Sequence, residues 1–436
     1  MRVALVMPLA SASAIADVTL QALPYLKRAW DLEIWCPSEV GLRDAAAPVH
    51  AYHEADSEVL AALEGFDLAV YVLGDSPWHG RILPLARALP GLVILHDASL
   101  TGLVRHSAVD RNEMAGLVEH VAAMYGSWQA AVIALGRDLD RARWLQFCAE
   151  VPLDDYVIEG SLGVVVHSRW HAERVDGRTL GSVTVADLPV PTRSGAAIDD
   201  AARMRELLGA VPDGDLLLVT VGSVNPNRHI DVLLDAVASD PSLASRVHVW
   251  AVGLAEPGDA EDLRAHAEQV GLADRFAITG WVSDAVLDGI LARADAGAAL
   301  RNPVLEGQSA SVLTQMLAGI PVIVYDQAHY AELPDDAVIK VAPAAGAPAI
   351  AAALRDIADG QHAGLGARAR EHVLATRSGQ RYADAIIEAG ERALAARPHV
   401  TMTYRVAARL RRLGLGDDEG IVGRVVDHTF ELYDLA

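Results

Sequence analysis

The 436-residue chain carries 58 acidic and 36 basic side chains, a formal net charge of -22. That balance argues against nucleic acid or a strongly anionic membrane surface as a partner, since both require clustered positive charge. The length suits two or three domains, and the 52% hydrophobic content, with only 5% aromatic, is mostly Ala, Val and Leu, the mix of buried parallel strands alternating with Ala-rich helices.

The opening MRVALVMP reads as a buried first strand rather than a secretory leader. No run of about 18 apolar residues suggests a membrane span, so the expectation is a soluble cytoplasmic protein. Predicted strands in the first half are Arg2–Met7, Leu32–Trp35, Leu68–Val72, Gly91–Leu95 and Gly163–Val166, with helical patterns between most of them. Residues 105–153 lack a strand and read as a helical insertion, with Trp128, Trp144 and Leu145 as packing residues. The stretch ADLPVPTRSGAAIDD, near residues 186–200, has the composition of an interdomain linker. A second alternation follows, with strands at Leu216–Val221, Val247–Val252, Phe276–Thr279, Gly297–Leu300, Val322–Tyr325 and Ile339–Val341. The expected organisation is an N-terminal Rossmann-like domain over 1–190, a C-terminal one over 191–397 and a helical tail over 398–436. That tail, with helices at Val400–Leu413 and Ile421–Leu435, packs back on the first domain or forms a homo-oligomer contact. Its Arg405, Arg409, Arg411 and Arg412 read as a solvated helix face. Ligands of doubly wound sheets bind at the carboxyl ends of the strands, so a site is expected in the cleft between the two.

The segment LRNPVLEGQSASVLTQMLAGIPVIV (Leu300–Val324) reads strand, loop, helix, turn, strand. Ser309 or Ser311 is the expected N-cap, and amides at that helix start suit a phosphate. Glu306 in the loop can accept hydrogen bonds from sugar hydroxyls. This segment resembles the EGFG…EAMAxGxPVV region of retaining GT-B glycosyltransferases of family GT4. The resemblance implies that Glu306 contacts the donor sugar, while the family's second Glu, at the ribose, is replaced by Thr314. Some relatives place the first Glu one residue later, where this chain has Gly307.

Four further segments carry the likeness. VTVGSVNPNRHIDVLLDAVA (Val219–Ala238) resembles the family's GRL…KGxDxLLxAF, with Arg228 where a Lys holds the diphosphate and Ser223 where the family has Arg. A guanidinium there grips phosphate bidentately. Asn225, Asn227 and His229 are neighbouring polar candidates. ITGWVSDAVLDGILARADAGAAL (Ile278–Leu300) places Gly280, Trp281 and Val282 at the nucleobase pocket, with a core role for Trp281 as the other reading. YVLGDSPWHGRILPLARALPGLVILHDASLTGLV (Tyr71–Val104) resembles an actinobacterial-type branch and supplies Gly74, Asp75, His79, His96 and Asp97. By resemblance, His96 approaches the donor sugar, and His79, Asp75 and Asp97 border the cleft. The loop PLASASAIADVTLQALPYL (Pro8–Leu26) brings Ser13, Ala14 and Asp17 to the acceptor side, with Ala14 where the family has Gly. Ser168 reads as a helix N-cap.

The resemblance thus implies two facing Rossmann-like domains and a metal-independent transferase, with Glu306, Arg228 and His96 as catalytic residues. It assigns donor contacts to Gly222, Ser223, Asn227, Gly280, Trp281, Val282, Gly307, Gln308, Ser309, Ala310 and Thr314. The implied partners are a nucleoside diphosphate sugar and a small-molecule or glycan acceptor; no cofactor is expected. Neither D-x-D spelling, Asp138–Asp140 nor Asp213–Asp215, looks like a metal site, and no His/Cys cluster has metal-ligand spacing. A non-catalytic nucleotide-sugar-binding protein or partner subunit, motivated by Ser223, Thr314 and Ala14, and a GT-B nucleotide-sugar epimerase are the alternative readings.

Overall fold

The computed structural model describes residues 1–10, 13–38, 42–136, 139–190 and 200–412. The expected linker core (191–199), Asp138 of the first D-x-D spelling and the tail beyond 412 lie outside the described residues.

Two all-parallel sheets organise the chain. The first contains β1 (Arg2–Val6), β2 (Asp31–Pro37), β3 (Val49–Tyr52), β4 (Leu68–Leu73), β5 (Leu92–Leu95), β6 (Gly163–Val166) and β7 (Ser182–Val185), in the order β3-β2-β1-β4-β5-β6-β7. The second contains β8 (Leu216–Val221), β9 (Val247–Val252), β10 (Phe276–Ile278), β11 (Ala296–Ala299), β12 (Val322–Tyr325) and β13 (Ile339–Val341), in the order β10-β9-β8-β11-β12-β13. Helices cover both faces, so central strands such as β4, β5, β6 and β9 are buried at every position, as a parallel sheet requires. The apolar runs located all of these central strands. They did not reveal β3 or β7, which close the two edges of the first sheet. There only Tyr52 of VHAY and Thr184 of SVTV are buried, so neither strand shows an apolar run.

The insertion comprises helices Thr101–Asp110, Met114–Met124, Ser127–Leu135 and Arg141–Glu150. Trp144 stacks on Phe147 there, with ring centroids 5.6 Å apart. Trp128 does not pack as expected. It sits in the first turn after Gly126, on the outward face of a helix whose buried positions are Ala130, Val132 and Ile133, and it is 74% exposed.

The long helix Gly379–Arg412 returns to the first domain, running through Pro398. Tyr382, Ala383, Ile386, Ala389 and Ala393 recur at helical spacing and are buried in the core that includes the Ala14–Ala29 helix. The chain therefore passes between domains twice, and the passages touch: Val190 N–H donates to the Arg377 carbonyl at 3.2 Å, and Arg377 is ion-paired with Asp187.

Tyr382 is 1% exposed, and its hydroxyl has no hydrogen-bond partner among the described residues. An unmet buried hydroxyl costs about 1–3 kcal/mol, whereas removing a buried aromatic ring costs about 3–5 kcal/mol. Urea unfolding is therefore expected to show Tyr382→Phe as stable as the parent or more so, and Tyr382→Ala markedly less stable.

Candidate functional site between the two sheets

The loops after β5 and β6 meet the loop after β11, so the carboxyl ends of the two sheets face each other. The segment from His96 to Ser99 runs against the segment from Leu305 to Gly307 like a short antiparallel pair. Ala98 and Ser99 N–H groups donate to the Leu305 carbonyl at 2.7 and 3.2 Å, and Gly307 N–H donates to the His96 carbonyl at 2.9 Å. A Cβ at Gly307 would come within 2.6 Å of His171 Nδ1 and 3.0 Å of the His96 carbonyl, so the approach needs glycine. Ser168 does more than cap its helix. Its hydroxyl accepts from His171 N–H at 3.2 Å and donates to the Gly307 carbonyl at 2.8 Å. Glu332 caps the same helix from the other domain, accepting from the amides of Arg169 and Trp170 at 3.1 and 2.6 Å. Gln308 joins the domains as well, accepting from Leu188 N–H at 2.8 Å.

Glu306 lies at the centre of this contact. Its Oε1 takes three partners: the Tyr330 hydroxyl at 2.8 Å, Arg301 Nε at 3.1 Å and His329 Nε2 at 3.7 Å. Burial by itself would raise the carboxyl pKa. The Arg301 charge, with His329 and Tyr330, overcomes it and holds the group well below the usual carboxylate range. Oε2 carries none of these contacts. Arg301 also donates from Nη1 to Asn227 Oδ1 at 3.2 Å, while Asn227 Nδ2 donates to the Pro303 carbonyl at 3.0 Å. The loop after β8 and the loop after β11 are thereby tied together.

Arg228 is 5% exposed. Its Nε donates to the Ser223 carbonyl at 2.5 Å and its Nη1 to the Val221 carbonyl at 2.6 Å. Burial, reinforced by the nearby Arg301 charge, lowers its pKa to about 9, which leaves it cationic at neutral pH. The Nη2 end lies against Gly222, where φ is +110° and any Cβ would overlap the guanidinium. Ser223 thus contributes its carbonyl to hold the Arg. His229, beside it, bonds through Nδ1 to the Tyr325 hydroxyl at 3.1 Å.

The Ala310–Ala318 helix starts at Ser309, but no side-chain hydrogen bond caps it. The Ser309 and Ser311 hydroxyls bond each other at 3.0 Å instead, so the expected cap is absent and the first amides keep their partial positive charge. Thr314 is buried on this helix. Trp281 follows β10 and is 73% exposed, which excludes the core reading. It is flanked by Gly280 and by Val282, which is partly buried.

On the first domain, Ser13 caps the helix that begins at Ala14, and Asp17 in its first turn is paired with Arg43. The Asp97 carboxylate accepts from Asp75 N–H at 2.6 Å, and Asp75 accepts from Leu103 N–H at 2.6 Å at the start of the next helix. Burial raises these carboxyls to about 7 and about 6. His79 is fixed by a 2.9 Å contact from Nδ1 to the Val72 carbonyl. His96 packs at a tilt against His167, with ring centroids 4.4 Å apart. Burial lowers His96, His79, His167 and His171, the last three to about 4, 4 and 3, so all four are neutral at pH 7.

Sequence reading placed Glu306, Gly307, His96 and Asp97 in the cleft, and the fold brings them into one contact, with Asn227 and Arg228 nearby. Ser13, Ala14 and Asp17 lie at the start of the first domain's opening helix, and Trp281 lies in the loop after β10. Arg301, His329, Tyr330, His167, His171 and Glu332 were missed. An Arg five residues before the loop Glu and the AHY turn after β12 are the signals present in the sequence. Among the described residues, no group of three or more His, Cys, Asp or Glu side chains could hold a metal ion, and no helix is long and apolar enough to cross a membrane.

Two facing parallel sheets, with the cleft between their carboxyl ends, form a GT-B architecture. Residues 215–360, within the second domain, match the model of the family described as Glycosyl transferases group 1. Among solved structures, sucrose-phosphate synthase from Thermosynechococcus elongatus is similar at a TM-score of 0.61 and 17% identity, over 91% of this chain and 100% of that one. Anabaena HepE in complex with UDP and glucose is similar at 0.59 and 14%, over 89% and 98%. WaaG, a glycosyltransferase of lipopolysaccharide biosynthesis, is similar at 0.57 and 15%, over 88% and 98%. No curated protein matches the chain.

Two measurements check the electrostatics. Removing one partner of a buried ion pair costs about 3–5 kcal/mol, so Glu306→Ala is expected to lose about that in urea unfolding, and adding Arg301→Ala is expected to cost little more. The raised Asp97 pKa means that the folded state holds a proton the unfolded chain loses near 3.8. The resulting stability is fully present below that value and is lost as pH rises through about 7. Asp97→Asn is therefore expected to raise the melting temperature, relative to the parent, more at pH 8 than at pH 5.

Proposed function

We propose that the protein is a retaining, metal-independent glycosyltransferase that moves a sugar from a nucleoside diphosphate donor to an acceptor hydroxyl. The observation that carries this reading is the Glu306 loop. A fully ionised carboxylate, anchored through one oxygen, sits directly before an uncapped helix start and across from the loop carrying His96. An anchored carboxylate with its second oxygen unclaimed suits sugar hydroxyls, and the amides at Ser309–Ser311 suit a phosphate.

In this scheme the diphosphate lies between those amides and the Nη2 end of Arg228. Thr314 bonds the ribose, and the base stacks on Trp281 beside Gly280 and Val282. Glu306 orients the sugar, and His96, neutral at pH 7, faces it from the first domain. The departing diphosphate gains negative charge, which a buried guanidinium and fixed amide dipoles stabilise without reorganising. The acceptor hydroxyl attacks from the face the diphosphate leaves, and a phosphate oxygen takes its proton. Interdomain contacts at Gly307 exclude water from the reacting atoms. The UDP and UDP-glucose complexes of HepE support a nucleotide-sugar donor.

The test is release of nucleoside diphosphate from UDP-glucose or GDP-mannose, in the presence and absence of EDTA, with the product anomer read by NMR. Unchanged turnover in EDTA and a retained anomeric configuration are expected. Glu306→Gln and Arg228→Ala should each lower turnover at least about tenfold at a temperature where circular dichroism shows them folded. Wild-type kinetics in both variants would place the donor elsewhere.

A further inference from the structure

A cavity of about 750 Å3 opens on the first domain at the carboxyl ends of β2, β3 and β4. We propose that this cavity is a carbohydrate-binding subsite, with Trp78 as its stacking platform, that seats a glycan acceptor. Its role as an acceptor site rests on the transferase reading above; binding of the carbohydrate does not.

The size falls within the ordinary range of small-ligand sites. The lining chemistry narrows the class. Glu54 and Asp110 contribute carboxylates, Arg81 and Arg111 guanidiniums, and His106 pairs with Asp110 at 3.2 Å. A cavity meant for a phosphate would gather cations alone, and one meant for a lipid would be apolar. Donors and acceptors of both signs match a neutral ligand whose hydroxyl groups both donate and accept. Trp78 adds what a sugar ring requires besides, a flat apolar surface for its C–H face.

The backbone on the C-terminal side of the platform is anchored. Trp78 lies in the short turn Pro77–His79, directly after the end of β4, and is 37% exposed. Its neighbour His79 is completely buried, with its ring tied to the Val72 carbonyl. Arg81 is placed by a 3.4 Å hydrogen bond to the Ser38 carbonyl and by the Tyr52 hydroxyl, which donates to the Arg81 carbonyl at 3.3 Å.

The same segment leads into the cleft. Gly74, four residues before Trp78, packs so closely that a Cβ there would lie 2.9 Å from Asp97 Oδ2. Four residues span at most about 14 Å, a separation that an oligosaccharide seated on Trp78 bridges with its terminal hydroxyl directed to the Glu306 side.

Saturation-transfer NMR on the full chain, with maltotriose, cellotriose and chitotriose as probes and no donor present, tests the proposal. At least one of the three is expected to receive saturation from aromatic protons. Trp78→Ala should weaken its Kd at least about tenfold, while Trp78→Phe, which keeps a ring face, should stay within about threefold. Absence of binding by all three, or equal binding by Trp78→Ala and the parent, overturns the proposal. Calorimetric titration of the parent with UDP-glucose reads the donor site separately. Trisaccharide binding without UDP-glucose binding would count against the donor reading and support this one; the opposite pattern would overturn this one alone.

Discussion

The contact on which the domain arrangement depends is the ion pair between Glu306 and Arg301. A carboxylate this enclosed is costly to desolvate, and only a charge and hydrogen bonds at close range offset that cost. Arg301 supplies the charge and at the same time bonds Asn227, while Tyr330 and His329 come from the turn after β12. Three loops of the second domain are thus fixed around one oxygen atom. Only then does the backbone of Leu305–Gly307 present the carbonyl and amide that pair with His96–Ser99.

This arrangement separates two tasks that a single residue type in a motif conceals. One oxygen of Glu306 holds the loop, and the other takes no part in those contacts. Arg228 divides its guanidinium in the same way, with Nε and Nη1 on the carbonyls of Ser223 and Val221 and Nη2 against Gly222. Groups held like this lose little conformational entropy when a substrate arrives, which favours preorganised electrostatics over adaptable grip.

Much of the fold was legible because a strand buried on both faces must be apolar throughout. The runs at β4, β5, β8 and β9 are unambiguous for that reason, whereas VHAY and SVTV, exposed on sheet edges, resemble any loop. The cleft loop with Glu306 and His96 was legible from its place after strands and from family-like spelling. Its supporting shell was not. Arg301, His329 and Tyr330 matter through what they touch across the fold, and no local pattern announces a partner brought in from a different loop. Trp128 failed as a packing residue for a related reason: an aromatic side chain in a helical stretch does not reveal which way the helix will turn its faces.

The two passages of the chain between the domains lie side by side, joined by the bond from Val190 to Arg377. A pair of bodies whose covalent connections lie at one narrow place has few ways to separate: sliding strains both connections, while swinging about them strains neither. Separation of the domains would therefore be a rotation whose axis passes near Val190 and Arg377, with displacement growing with distance from them. The Arg141 side chain, which reaches from the insertion to Glu256 and Asp259 at 2.7 and 2.8 Å, would then act as a catch on the swinging side.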